Sequence, residues 1–291
     1  MIIAIAILHF GEEFPNPIPT LGGGALGVDF FFVVGGFYLA QHYYRNKTDA
    51  PAIVQTNQFF IKRLKKLYPP YLIALLSTTL ILFIENNFSF KWLLNHLYET
   101  RWQYLFLHAL VPNVPYDLRS MWYISVFVFL LFVMYFLLSY NDKLAMGLLP
   151  ITALIIILHL YATYATLCCQ NVYEGYVSGG VLRGFAEMGI GIFMYGNVTY
   201  CQKNNIKFVT STSRLIATII KWLSLATLLI LMPLFPFDGG GFDKFALILI
   251  YTRLCYCNCY TLNVRFINKI IQWLGSINYW IYCIHLVISR I

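Results

Sequence analysis

Eight long apolar segments, separated by short polar ones, set the terms for this chain: residues 24–44, 67–84, 121–140, 144–164, 183–200, 215–235, 244–262 and 270–291. Each is close to the roughly 20 residues that an α-helix needs to cross the hydrocarbon of a bilayer. The runs are continuous rather than alternating, which excludes the dyad pattern of outer-membrane barrel strands. Charged residues make up only 11% of the 291 residues, against about 25% in soluble domains. So few charges cannot cover a water-facing surface, and lipid must be the main solvent. The expected fold class is all-α, a polytopic transmembrane helical bundle forming one domain over residues 1–291.

The formal net charge is +8, yet its distribution points to topology and not to a nucleic-acid partner. Lys and Arg gather in the short segments between apolar runs, the arrangement of cytoplasmic loops. Residues 45–66 hold Arg45, Lys47, Lys62, Arg63, Lys65 and Lys66 against the single acid Asp49, so this segment is expected to be a cytoplasmic loop. The same side then holds Lys203, Lys207, Arg214, Arg265 and Lys269, provided that residues 104–111 are re-entrant or interfacial. The result is about nine spans, or ten if one boundary shifts, with the N-terminus inside. Pro15, Pro17 and Pro19 with Gly22 to Gly24 make one outer loop, and residues 238–241 another. The opening MIIAIAILHF lacks the basic region and small-residue site of a cleaved leader. It reads as part of a first helix that is short for a span, which leaves open a truncated or misassigned start. The inverted repeats of many secondary transporters are not evident.

Seven cysteines are present. Cys255, Cys257 and Cys259 form a C-x-C-x-C run, but on a helix Cys257 points away from the other two and no His or acid lies near. No metal is expected. Whether Cys168 and Cys169 form a disulfide is not decided by sequence.

Ionisable groups at membrane depth are costly and therefore mark candidate sites. His9 ends the first apolar run and Asp29 begins the next, so both lie toward the outer side. A neutral imidazole beside a carboxylate can take a proton from an alcohol; the alternative is that each only caps a helix end. Arg63 and Lys66 are three apart on one helical face and suit the phosphates of a nucleotide-like cofactor, or else anchor a cytoplasmic boundary. Arg183 and Glu187, four apart, make a catalytic or a structural pair. Arg253 needs water or a carboxylate partner, while His108, His159 and His285 can each be packing residues.

These residues fall in stretches that resemble the membrane acyltransferase-3 family, which includes O-acetyltransferases of bacterial surface polysaccharides. His9, followed by residues 24–37 (GALGVDFFFVVGGF), resembles the family's opening His and G-x-x-G-V-D-x-F-F-x-x-S-G-F. Arg63, Lys66 and Pro69 are similar to its R-x-x-R-x-x-P segment, and Met121 to Val126 to its W-x-L-S stretch. Arg183 to Gly191 resembles its R-x-x-x-x-F-x-x-G helix, and Leu274 to His285 its closing L-G-x-x-S-Y-x-x-Y-L-x-H. Gly35 stands in place of Ser, Lys66 in place of the second Arg, and Asn278 where Ser is common. A lysine at 66 forgoes the bidentate fork of arginine.

The resemblance implies a multi-pass protein of the bacterial plasma membrane that moves an acyl group, in the first place acetyl, from acyl-CoA to a glycan hydroxyl. It implies His9 as the central catalytic residue, with Asp29 and Glu187 orienting or charge-balancing it. Arg63, Lys66 and Tyr68 would hold the coenzyme A donor, and Trp122 and Arg183 would meet the acceptor. The implied partners are acetyl-CoA, a glycan and the bilayer. Two rival readings are a transporter or flippase, and a sensor that keeps the fold without catalysis.

Overall fold

A computed structural model describes residues 26–118, 121–204, 277–285, 287 and 288, with scattered helical positions between 212 and 227. Helix follows helix: α1 (Leu26–Arg45), α2 (Ala52–Glu85), α3 (Phe90–Glu99), a 3-10 turn (Gln103–Leu105), α4 (Trp122–Tyr140), α5 (Asp142–Tyr164) and α6 (Gly179–Lys203). A final helix, α7, covers 277–285. A two-residue hairpin of β1 (Tyr173–Glu174) and β2 (Val177–Ser178) precedes α6. The molecule is therefore mostly helical, with this hairpin as its one addition to the expected class among the described residues.

Local chemistry sets the ends. Ser89 caps α3 by accepting from the Trp92 amide, Asn141 caps α5 through Leu144, and Ser178 caps α6 through Val181, each satisfying a backbone donor that the helix leaves free. Asp29 in the first turn of α1 and Arg45 in its last complement the helix dipole.

Three described helices, α2, α4 and α5, are long and apolar enough to cross a membrane. The expected segments 215–235 and 244–262 fall wholly or mostly outside the described residues. So do His9, the prolines at 15, 17 and 19, the outer loop at 238–241, Arg253, and Cys255, Cys257 and Cys259.

The cytoplasmic loop expected over 45–66 needs correction, because residues 52–66 are the first half of α2. Nothing in AIVQTNQFFIKRLKK breaks a helix, and the Pro69–Pro70 pair lies inside it. Each proline lacks the amide that would bond four residues back, which releases the carbonyls of Lys65 and Lys66 from the ladder. The Tyr279 hydroxyl of α7 donates to the next carbonyl, Leu67 O, at 3.0 Å.

Helix directions follow from ring contacts. Phe32 of α1 meets Tyr123 of α4, and further along His42 meets Tyr135, so α1 and α4 run parallel. Phe37 of α1 meets Tyr195 of α6 while Phe32 lies against Gly184, so α6 runs parallel to both. Phe59 of α2 stacks on Tyr135 at 4.1 Å and Tyr71 packs near Met121, so α2 is antiparallel. The C-terminal ends of α1 and α6, with the turn from α4 to α5, thus carry Arg45, Lys47, Lys143 and Lys203 at one basic end of the bundle. Residues 100–118 close the opposite end. They are held by Tyr71 donating to Gln103 O at 2.8 Å, Ser125 donating to Phe106 O at 2.6 Å and Ser178 donating to Ala109 O at 3.2 Å.

The closest helix contact is between α1 and α6. A Cβ on Gly36 would stand 2.1 Å from Met188 O, and one on Gly191 would stand 2.0 Å from Val33 O. Only glycine permits backbones this near. That approach positions the charged groups at the start of both helices.

Candidate active site

Asp29, Arg183 and Glu187 meet where α1 and α6 begin. The Arg183 guanidinium donates from Nε to Asp29 Oδ1 at 2.9 Å and to Glu187 Oε1 at 3.1 Å, and a second bond runs from Nη2 to Asp29 Oδ1. All three side chains are at most 2% exposed. Asp29 Oδ2 and Glu187 Oε2 are buried and meet no hydrogen-bond partner among the described residues. Breaking such a set by removing one member costs far more than an exposed pair, because it strands a charge in low dielectric.

The surroundings are apolar and aromatic. Phe32, one turn after Asp29, lies 4.7 Å from the Tyr123 ring and 6.3 Å from the half-buried Trp122. Trp122 also closes on Gly180, one turn before Arg183. Of the residues singled out in the sequence, Asp29, Arg183, Glu187 and Trp122 therefore share one end of the bundle. At Gly35 the Phe127 ring lies 2.6 Å from the position of a Cβ. The ring occupies the space that a side chain would use.

Arg63, Lys66 and Tyr68 lie elsewhere, on α2. Counting from the Phe59–Tyr135 contact at 1.5 Å per residue, Arg63 stands roughly 13 Å along the bundle from the Asp29–Arg183 level. Its guanidinium sits 5.4 Å from the centre of the Phe59 ring and is half-buried, whereas Lys66 is exposed. Tyr68 donates to Tyr104 O at 3.2 Å and packs on Phe106, so its side chain also fastens the segment 100–118.

Sequence reasoning missed two features. His42 rests on Phe59 at 4.9 Å, the ring that Arg63 also covers, and its Nδ1 is buried without a partner. Its place three residues before Arg45, at the end of an apolar run, was the available signal. His96 pairs with Asp117 at 3.2 Å, and Gln103 donates to the same Asp117 oxygen at 2.7 Å. That set joins α3 to a loop, and no spacing in sequence announces it. The other histidines also have defined places. His159 bonds Glu174 at 2.8 Å, His285 bonds Tyr282 O at 2.7 Å, and His108 is buried. Cys168 and Cys169 do not form a disulfide with each other. Among the described residues no cluster of three or more His, Cys, Asp or Glu is placed to hold a metal.

Comparison with known proteins gives these residues a context. The chain is 33% identical over 93 residues to a protein of Staphylococcus aureus strain COL, and equally to proteins of strains MSSA476 and MRSA252, each named "Putative O-acetyltransferase". That match covers 31% of the chain and only 14% of each relative. No solved structure matches it. A family model described as an acyltransferase domain matches residues 1–291, and members of this family are membrane proteins. Matched over its whole length, the chain belongs to the membrane acyltransferase-3 family.

Proposed function

We propose that this protein is a multi-pass O-acyltransferase of the bacterial plasma membrane, with nine to ten spans, that moves an acetyl group from acetyl-CoA to a hydroxyl of a cell-surface or lipid-linked glycan. Family membership supports acyl transfer, and the names of the staphylococcal relatives support acetyl as the group. The basic end of the bundle takes the cytoplasmic side by the positive-inside rule. The donor enters from there, its phosphates met by Arg63 and Lys66, with Tyr68 beside them. His9 acts as general base on the acceptor hydroxyl, Asp29 and Glu187 balance its charge, and Trp122 and Arg183 line the acceptor side.

The observation that supports this reading is the buried Asp29–Arg183–Glu187 set, with two carboxylate oxygens that no described residue meets. A purely structural ion pair has no use for spare acceptors in so dry a place. The test is transfer of label from acetyl-CoA into glycan by membranes that carry the protein. His9→Ala should abolish transfer while membrane insertion persists. Full transfer by that variant would remove His9 from the mechanism, and no transfer by the unmodified protein into any glycan fraction would end the reading.

A further inference from the structure

The charges in the Asp29–Arg183–Glu187 set do not balance. One guanidinium faces two carboxylates, and all three side chains are at most 2% exposed. With both acids ionised the set would keep an uncompensated negative charge in a low dielectric, which proteins normally avoid by protonating the group. The neighbouring titratable groups within electrostatic reach are Tyr123 on α4 and Cys168 and Cys169 in the segment before β1. None is a cation, so among the described residues no second positive charge takes the place of a proton.

The hydrogen bonds indicate which acid holds it. Asp29 Oδ1 accepts from both Nε and Nη2 of Arg183, while Glu187 Oε1 accepts only from Nε, at 3.1 Å and shared. Two charge-assisted bonds favour the ionised form more than one longer, divided bond. Within the set, Glu187 Oε2 and Asp29 Oδ2 are buried and meet no partner among the described residues. A proton on Glu187 turns an orphaned acceptor into a donor, and Asp29 Oδ2 is an acceptor in want of one.

We propose that the set is a proton-binding site: Arg183 is the counter-ion held by Asp29, and Glu187 carries the proton as a carboxylic acid at neutral pH. This assignment follows from the geometry of the three side chains and stands apart from the acyl-transfer reading. It revises one part of that reading, since Glu187 is then a proton donor in the wall of the bundle and not a second anion.

Infrared spectroscopy of the purified full chain in lipid nanodiscs at pH 7 tests this directly. A protonated carboxyl gives a C=O stretch distinct from that of a carboxylate. The band should be present, shift when all glutamates carry a ¹³C label, and vanish in Glu187→Gln, which replaces the neutral acid with an amide of the same shape. The labelled, unmutated protein keeps the test valid if that variant does not fold. Absence of the band, a band indifferent to the glutamate label, or a band that persists in a folded Glu187→Gln protein would overturn the proposal. Loss of acetyl transfer alone, with the band intact, would count against the enzymatic reading and leave the proton site standing.

Discussion

The start of α1 and α6 and the first half of α2 each carry charged side chains, but they are built in opposite ways. Asp29 and Arg183 come from positions 154 residues apart and are brought together only because Gly36 and Gly191 let two backbones nearly touch. Lys62, Arg63, Lys65 and Lys66 come from one stretch of one helix; only Arg63 is partly covered, by Phe59. The first set is paired, dry and part of the packing, so every member is costly to change. The second leans on the fold very little and keeps its charge free for an anion. Where stability and ligand binding separate along the chain should follow this division.

The largest effect should come from Arg183→Met, which strands two acids in the core. Loss of one partner from a buried pair costs about 3–5 kcal/mol, so the variant should melt far below the unmodified protein in detergent or fail to accumulate. A change under about 1 kcal/mol would mean that the set is not embedded as its burial indicates.

An acid-side weakness belongs to the same end of the molecule. Burial lowers the His108 pKa from 6.5 to about 4, opposed in part by the Met121 backbone. Above about pH 6.5 the imidazole is neutral in both folded and unfolded chains, and stability is full. As pH falls toward 4 the unfolded chain takes up a proton that the folded chain refuses, so stability declines and then levels off. At pH 5 the loss should be about 2 kcal/mol, from about 1.4 kcal/mol per pKa unit. Melting temperatures at pH 7 and pH 5 read it, and His108→Leu should show a smaller difference between the two. Equal pH sensitivity in both proteins would place the weakness elsewhere.

Glycine substitutions sharpen the comparison further. Gly36→Ala pushes a methyl into Met188 O, whereas Gly147→Ala on α5 meets nothing within 4 Å. The first should destabilise by roughly 1–3 kcal/mol through overpacking, and the second should stabilise by roughly 0.5–1 kcal/mol through helix propensity. Similar melting shifts for both would deny the α1–α6 contact its special closeness.

How much of this was legible in sequence depends on how far apart the cooperating residues lie. The apolar runs gave the helical class, and α4, α5 and α6 fall within a few residues of their expected bounds, because hydrophobic length is a local property. Arg183 and Glu187 could be paired from their spacing of four. Asp29 joined Glu187 only through the family resemblance, since nothing local says that α1 and α6 are neighbours. Gly36 and Gly191 read as parts of motifs, and only the packing reveals them as the contact that aligns the charges. The start of α2 was misread for the converse reason: a run of four cations looks like a cytoplasmic loop, yet a helix carries Lys62, Lys65 and Lys66 on its exposed surface without strain. The His96–Asp117 pair was invisible because it joins a short helix to an irregular loop.

The smallest structural effects should come from α2, and there they carry the most information about binding. Arg63→Ala removes a cation–π contact worth roughly 0.5–1 kcal/mol, and Lys66→Ala, at an exposed position, should change stability by less than about 0.5 kcal/mol. If these side chains hold donor phosphates, each loses a charge-assisted bond of roughly 1.5–3 kcal/mol, so the apparent KM for acetyl-CoA should rise about tenfold or more with little change in turnover at saturation. Lys66→Arg supplies the planar fork that lysine lacks and should lower that KM. Acetyl-pantetheine, which has no nucleotide phosphates to lose, serves as the control: its KM should be indifferent to all three substitutions. Equal effects on both donors would assign the basic face of α2 to anchoring the bundle at the membrane surface.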